Sequence, residues 1–226
     1  MNQVNWDEYK FHCSALKNLM VTPRLKSEVL SETTKSFLND IYIKEVFGRE
    51  KSEMVANKYV RKGVMCETDS LELLERVKGE KHFKNNKMLE NAYIVGTPDI
   101  ITLDKIKDIK TSWDLFTFFG VDEDQAQRDY YYQLLGYMIL TGKKYAELVY
   151  CLVNTPEQMM NDELYRLKFY LPEEEAESYD INYIFDDIPE ERRIKVFSFE
   201  YIKEEAELLE GKIKLSRVYL SALSSK

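Results

Sequence analysis

The feature that most constrains the fold is a short segment, residues 96–110, in which two apolar runs flank a polar pair. Residues 100–103 and 106–109 are rich in isoleucine and other strand-favouring residues, and Asp104 and Lys105 lie between them. Two such runs joined by two turn residues predict a β-hairpin. We expect the rest of the chain to be organised around this hairpin.

The register of the hairpin decides which charged side chains share a face. With Asp104 and Lys105 as the turn, the predicted pairs are Leu103 with Ile106, Ile101 with Asp108 and Asp99 with Lys110. Because side chains alternate along a strand, Asp99, Asp108 and Lys110 are expected on one face. Carboxylates about 5 to 8 Å apart at Cβ repel each other unless a cation lies between them. Mg²⁺ suits such oxygen ligands, and a neighbouring lysine can orient a water or stabilise phosphate charge. The alternative is an exposed hairpin with alternating charge.

Length and composition indicate one globular domain, residues 1–226. Hydrophobic residues make up 44% of the chain and charged residues 32%. No apolar run approaches the roughly 20 residues of a membrane-spanning helix. The first residues also lack the basic and apolar regions of a signal peptide. We therefore expect a cytoplasmic protein with no membrane partner.

Three cysteines, Cys13, Cys66 and Cys151, are far apart in the sequence. An odd number of distant cysteines indicates free thiols in a reducing compartment rather than a disulfide framework. Three thiols also argue against an iron–sulfur cluster, because such a cluster usually requires four thiolates.

The net charge of −8 is unusual for a protein that handles nucleic acid. Its distribution reduces the difficulty, because residues 171–210 contain 14 acidic and 4 basic residues, whereas residues 1–62 contain 11 basic and 8 acidic residues. We interpret residues 171–210 as an acidic arm that supplies the negative net charge, whereas the rest of the chain is nearly neutral. The alternative is that the arm is simply a solvated surface.

The remaining elements are predicted from hydrophobic periodicity and from caps. Gly63 is expected to break or kink a long helix, and the closing helix carries Ile202, Leu209, Ile213 and Leu220 at helical spacing. The predicted helices are 7–20, 31–48, 52–78, 124–141 and 202–223, and the predicted strands beyond the hairpin are 91–95, 145–154, 164–171 and 193–199.

Three short motifs together resemble the PD-(D/E)XK nuclease superfamily. Pro98-Asp99 followed by Asp108-Ile109-Lys110 is similar to its signature, and Gly63 with Glu67 is similar to its helical G-x-x-x-E element. Gln133 and Tyr137, at i and i+4 of a predicted helix, resemble the Q-x-x-x-Y element of the RecB-like branch. The order of the motifs resembles the phage-type, YqaJ-like or lambda-exonuclease-like group, over about residues 11–153. The fold implied is α/β, a mixed central sheet flanked by helices, with residues 154–226 as an acidic arm and closing helix.

The resemblance also implies roles for individual residues. Asp99, Asp108 and Glu67 would hold one or two Mg²⁺ ions, for which Mn²⁺ can substitute, together with the carbonyl oxygen of Ile109. Lys110 would position the attacking water. Three further residues would contact DNA: Ser14, Gln133 and Tyr137. For Ser14 the alternative is a plain helix N-cap, and for Glu67 it is a solvated surface glutamate.

The activity implied is metal-dependent hydrolysis of phosphodiester bonds at duplex DNA ends, 5′ to 3′, for phage recombination in the host cytoplasm. A single-strand annealing protein would receive the strand, and a homo-oligomeric ring would retain the DNA, with contacts through residues 113–119 and 202–223. Those aromatic residues could instead be core or stack on bases. Three alternatives are a structure-selective endonuclease, a non-catalytic phage binding protein and a plain structural domain.

Overall fold

The computed structural model describes residues 2–51 and 57–224, in which helices pack against two mixed β-sheets. The expected α/β class is confirmed, although the strands form two sheets rather than one. No helix in the described ranges is both long and apolar enough to cross a membrane. The division of the chain into one domain with an arm stays a prediction.

The smaller sheet has three short strands. Its middle strand β3 runs parallel to β1 and antiparallel to β2. These strands are β1 (Phe11–His12), β2 (Leu89–Glu90) and β3 (Ile94–Gly96). The expected strand at 91–95 is therefore present, displaced toward Gly96.

The larger sheet has four strands in the order β4-β5-β6-β7. They are β4 (Ile100–Ile101), β5 (Lys105–Thr111), β6 (Tyr145–Cys151) and β7 (Ile194–Glu200). The central pair β5 and β6 is parallel, and both outer pairs are antiparallel. Parallel strands need a long connection. The connection between β5 and β6 contains the long helix that is described below. The predicted strands 145–154 and 193–199 are confirmed.

The hairpin is present, but its turn lies one residue earlier than predicted. Ile101 pairs with Ile106, so the two turn residues are Leu103 and Asp104. Thr102 fixes this position, because its hydroxyl accepts a hydrogen bond from the Lys105 N–H at 3.1 Å and its own N–H donates to the Lys105 carbonyl at 2.9 Å. The shift leaves every side chain on its predicted face. If this register is continued by one residue pair beyond β4, Asp99 lies opposite Asp108. The predicted register had placed Asp99 opposite Lys110.

Two of the predicted helices begin at capping residues. Ser31 caps α1 by accepting a hydrogen bond from the Thr34 N–H, and Asp122 caps α5 in the same way through Gln125. Both predicted helices, 31–48 and 124–141, are confirmed. The α-helices are α1 (Glu32–Phe47), α2 (Lys58–Met65), α3 (Glu67–Lys78), α4 (Leu115–Gly120), α5 (Glu123–Thr141), α6 (Glu157–Leu167), α7 (Glu173–Glu177) and α8 (Lys203–Ser224).

Two predicted helices are interrupted. Residues 7–20 form two 3₁₀ helices, Trp6–Glu8 and Cys13–Leu19, separated by β1, because Phe11 pairs with Ile94 in the smaller sheet. The predicted helix 52–78 breaks at Cys66, not at Gly63, which lies inside α2. Its expected beginning, residues 52–56, lies outside the described residues.

One expectation in the C-terminal part is wrong, and a second is confirmed except at its first residue. Residues 164–171 form the end of α6 and a turn instead of a strand, since Met159 and Leu164 are buried on one helix face while Tyr165 is 64% exposed. On α8, Leu209, Ile213 and Leu220 are buried inside the chain as expected of core, but Ile202 precedes the helix and is 45% exposed.

The core joins the first 3₁₀ helices, α5 and α8 beneath the sheets. Cys13 packs against two glycines there, since a Cβ atom added at Gly96 or Gly136 would lie within 2.9 Å of its Sγ. All three cysteines are buried and free.

Candidate active site

Asp99 and Asp108 lie together in a cleft of about 740 Å³ lined by α2, β5 and α5. Asp108 is in the middle of β5 and only 2% exposed. Asp99 directly precedes β4, and its Oδ2 accepts a hydrogen bond from the Ile109 N–H at 2.7 Å. The hairpin therefore brings both carboxylates to one side of the sheet, as the alternation of side chains predicted.

Lys110 follows two residues later on the same face of β5. Its Nζ lies 2.6 Å from Asp108 Oδ2 and 4.9 Å from the centre of the Tyr130 ring. The contact with Asp108 is a short ion pair, in which the Lys110 ammonium offsets the charge of the buried Asp108 carboxylate.

Burial and the neighbouring charges shift the pKa values of Asp99 and Lys110. Burial, and next the charge of Asp108, raise the pKa of Asp99 to about 7, against the opposing effects of the Ile109 N–H and Lys110. For Lys110, burial lowers the pKa, but the attraction of Asp108 outweighs it and the pKa is raised. Two carboxylates that repel each other at neutral pH are the arrangement that a divalent cation relieves.

Glu67 begins α3 at the edge of the same cleft. Its side chain is 38% exposed, and its Oε2 lies 2.5 Å from Lys84 Nζ. Within residues 2–51 and 57–224, no three histidine, cysteine, aspartate or glutamate side chains are close enough to form a metal cluster. Asp99 and Asp108 are therefore the convergent pair, with Glu67 beside them and turned to Lys84.

Gln133 and Tyr137 lie on the face of α5 that meets β5. Gln133 Nε2 donates hydrogen bonds to Asp108 Oδ1 and to the Tyr137 hydroxyl, both at 3.1 Å. The two side chains are 9% and 5% exposed. The structure thus brings both members of the Q-x-x-x-Y motif to the carboxylate pair.

Ser14 is not among the residues that line the cleft. It is exposed within the 3₁₀ helix Cys13–Leu19, whose N-cap is His12, so its alternative interpretation as an N-cap is wrong. One turn later, Lys17 pairs with Asp129 at 3.1 Å, and Asp129 does line the cleft. The helix that carries Ser14 therefore lies beside the rim.

Sequence reasoning missed Tyr130, whose ring lies over Lys110 and makes an edge contact with Tyr150. Its position was available from helical spacing, because Tyr130 precedes Gln133 by three residues and shares its face. The aromatic segment divides between core and surface: Trp113 and Phe118 are buried, whereas Phe116 and Phe119 are 78% and 66% exposed.

Comparison with solved structures shows that the chain is similar to known exonucleases. The phage-related exonuclease from Haemophilus somnus 129PT matches with a TM-score of 0.81 and 26% sequence identity, over 96% of each chain. The alkaline exonuclease LHK-Exo from Laribacter hongkongensis matches with a TM-score of 0.62 and 12% identity, over 96% of this chain and 92% of that one. Its complex with dAMP matches with a TM-score of 0.60. No protein-family model and no curated protein matches this chain.

The likeness to LHK-Exo shows the fold alone, whereas the Haemophilus exonuclease shares about a quarter of its sequence with this chain over nearly its whole length. Both are consistent with the motifs gathered in the cleft. The chain therefore resembles a phage-related exonuclease in its fold, and its motifs resemble those of PD-(D/E)XK nucleases.

Proposed function

We propose that this chain is a metal-dependent deoxyribonuclease that degrades double-stranded DNA from its ends, in the 5′ to 3′ direction. The observation that carries the proposal is the buried Asp99–Asp108 pair with Lys110 beside it, at the floor of an open cleft. The 26% identity to a phage-related exonuclease over 96% of both chains supports it.

The residues of the pair fit Mg²⁺. Both carboxylates line the cleft, where Asp108 Oδ2 lies 2.6 Å from Lys110 Nζ and Asp99 Oδ2 accepts a hydrogen bond from the Ile109 N–H. Carboxylate and carbonyl oxygens are the ligands that Mg²⁺ prefers. We assign Asp99, Asp108 and the Ile109 carbonyl as its ligands, with Glu67 as a third acidic group; Mn²⁺ can substitute. When bound, the ion stabilises charge on the phosphate and favours ionisation of water near neutral pH.

The other polar groups act around this pair. Lys110 is held by Asp108 and the Tyr130 ring in the cleft, and we assign its ammonium to orient the attacking water. Gln133 donates to Asp108 Oδ1 and so fixes the plane of that carboxylate. In this proposal, catalysis depends on charged side chains that are already held in position before the substrate binds.

In this proposal the DNA end enters past the 3₁₀ helix Cys13–Leu19, which lies beside the rim of the cleft. Ser14 is exposed there, next to the helical turn that carries Lys17. We assign Ser14 to contact a backbone phosphate. In this proposal the product strand passes to a single-strand annealing protein during phage recombination in the host cytoplasm.

The test is a nuclease assay on three DNA substrates: linear duplex labelled at the 5′ ends, the same duplex labelled at the 3′ ends, and a closed circle. With Mg²⁺, we expect the 5′ label to be released first as short products and the circle to remain intact; EDTA stops the reaction. Nicking or linearisation of the circle would instead favour the structure-selective endonuclease. No cleavage of any substrate with Mg²⁺ or Mn²⁺ would contradict the proposal.

A further inference from the structure

We infer that Tyr137 is a positioning residue, which acts on Asp108 through Gln133 and does not contact DNA. The inference rests on the proposed nuclease function and refines the role that the Q-x-x-x-Y resemblance implied. It follows from three features of the described residues: the hydrogen bonds of Gln133, the burial of Tyr137 and the backbone at Gly96.

The first feature is the use of the Gln133 amide. A glutamine NH₂ group has two hydrogens to donate, and here one goes to Asp108 Oδ1 and the other to the Tyr137 hydroxyl. A carboxylate only accepts, so Asp108 requires the nitrogen of this amide to face it. The Tyr137 oxygen accepts the second hydrogen and holds the amide in that orientation.

The second feature is burial. Tyr137 is 5% exposed, and its hydroxyl is directed at Gln133 beneath the carboxylate pair. A side chain that contacts a DNA phosphate has to present its donor to solvent, where DNA can reach it. Tyr137 borders the floor of the cleft, where Asp108 and Gln133 are also buried.

The third feature is the position of the Tyr137 ring. A Cβ atom added at Gly96 would lie 2.7 Å from Tyr137 Cε1, so the ring packs directly on the backbone at the end of β3. Gly96 is three residues before Asp99 in the chain. The ring thus rests on the segment that leads to Asp99, while its hydroxyl supports the amide that orients Asp108. One tyrosine links the placement of both carboxylates.

Three variants test this arrangement: Tyr137→Phe, which keeps the ring and removes the hydroxyl, Gln133→Leu, and the double variant. Residues that orient a metal-binding carboxylate typically affect activity by 10- to 100-fold. We expect Tyr137→Phe to lower kcat about 10-fold with KM for DNA unchanged. In the Gln133→Leu background the same change should have no further effect, because the hydroxyl acts only through that amide. Tyr132→Phe is the matched control, since Tyr132 lies on α5 but bonds to Glu205, and its rate should equal that of the parent.

A second readout does not depend on cleavage. The side-chain NH₂ resonances of Gln133, identified by their loss in Gln133→Leu, should shift in Tyr137→Phe and stay in place in Tyr132→Phe. If the parent shows no nuclease activity but this shift occurs, the proposed function fails and the positioning link stands. Unshifted amide resonances, a raised KM with unchanged kcat, or additive losses in the double variant would each overturn the inference.

Discussion

Lys84 Nζ lies 2.5 Å from Glu67 Oε2 at the edge of the cleft that holds Asp99 and Asp108. The ammonium of Lys84 therefore neutralises the carboxylate that the G-x-x-x-E resemblance assigns to the metal. Both partners are partly exposed, with side chains 42% and 38% accessible, so the pair is weak and can exchange for a stronger cation. Lys84 and a divalent ion compete for Glu67 in this arrangement.

The competition predicts opposite effects of two substitutions on the Mg²⁺ requirement. Lys84→Met removes the competing cation, so half-maximal cleavage should need less Mg²⁺. Glu67→Gln removes the charge, so it should need more, and excess Mg²⁺ or Mn²⁺ should partly restore activity. The measurement is the rate at saturating DNA as a function of Mg²⁺ concentration, with the exposed Lys87→Met as control. An unchanged requirement in both variants would place the third ligand elsewhere, with Asp69 or Glu72 next in line.

The burial of Lys62 predicts that the free energy of unfolding increases with pH in the alkaline range. It is fully buried on α2, where its Nζ donates to the Trp113 carbonyl at 2.8 Å, and burial lowers its pKa to about 8 from 10.5. Between these two pH values the unfolded chain binds more protons than the folded chain, so the free energy of unfolding contributed by Lys62 rises with pH. Relative to Lys62→Met, the parent should gain up to about 3 kcal/mol across this window. Urea unfolding at pH 7.5 and pH 10.5 measures it, and an equal difference at both values would contradict the shift.

The close packing around Gly96 predicts that one added methyl group at this position destabilises the protein. A Cβ atom there would lie 2.7 Å from the Tyr137 ring and 2.9 Å from Cys13 Sγ, so Gly96→Ala should lower the free energy of unfolding by about 1–3 kcal/mol. Gly211→Ala is the matched control, because Gly211 lies inside α8 with nothing within 4 Å of its added Cβ. That change should stabilise the chain by about 0.5–1 kcal/mol. Urea unfolding of both variants decides the prediction, which fails if Gly96→Ala is neutral.

Local patterns allowed much of this site to be predicted. Side chains alternate along β5, so Asp108 and Lys110 lie on one face whichever residues form the turn. The shift of the hairpin register by one pair also leaves the side chains of the facing strand on their predicted face. Helical spacing likewise joins Gln133 to Tyr137. The turn itself was missed because Thr102 bonds to Lys105 with both its hydroxyl and its backbone.

Contacts between distant parts of the chain could not be predicted from local patterns. Glu67 meets Lys84 across a loop, and Cys13 packs against Gly96 and Gly136 from two other elements. The end of α6 was assigned to a strand because Tyr165, Phe169 and Tyr170 favour strands by composition, whereas all three are exposed beyond its buried face. In each case the tertiary environment outweighed a local preference.

A closed oligomer, most simply a ring, stays a prediction of the negative net charge, since phosphate neutralisation supplies most non-specific affinity for DNA. The buried stripe of α8 is used inside the chain, so the contact is now assigned to the exposed Phe116 and Phe119 on α4. Light scattering at micromolar concentration should give a multiple of 26.8 kDa for the parent. Phe116→Ser should reduce the mass, and Phe169→Ser, a change at a similarly exposed phenylalanine between α6 and α7, should not. A monomeric parent would rule out the ring.

The most direct test of the account is the rate of nucleotide release from end-labelled linear duplex by Asp108→Asn and by Asp104→Asn. The two aspartates lie on the same hairpin, but Asp108 is 2% exposed in the cleft and Asp104 is exposed in the turn. If Asp108 holds the metal, Asp108→Asn should retain less than a few per cent of the parent rate with an unchanged circular dichroism spectrum, while Asp104→Asn cleaves as the parent does. Cleavage by Asp108→Asn at a rate near that of the parent would contradict the assigned catalytic site.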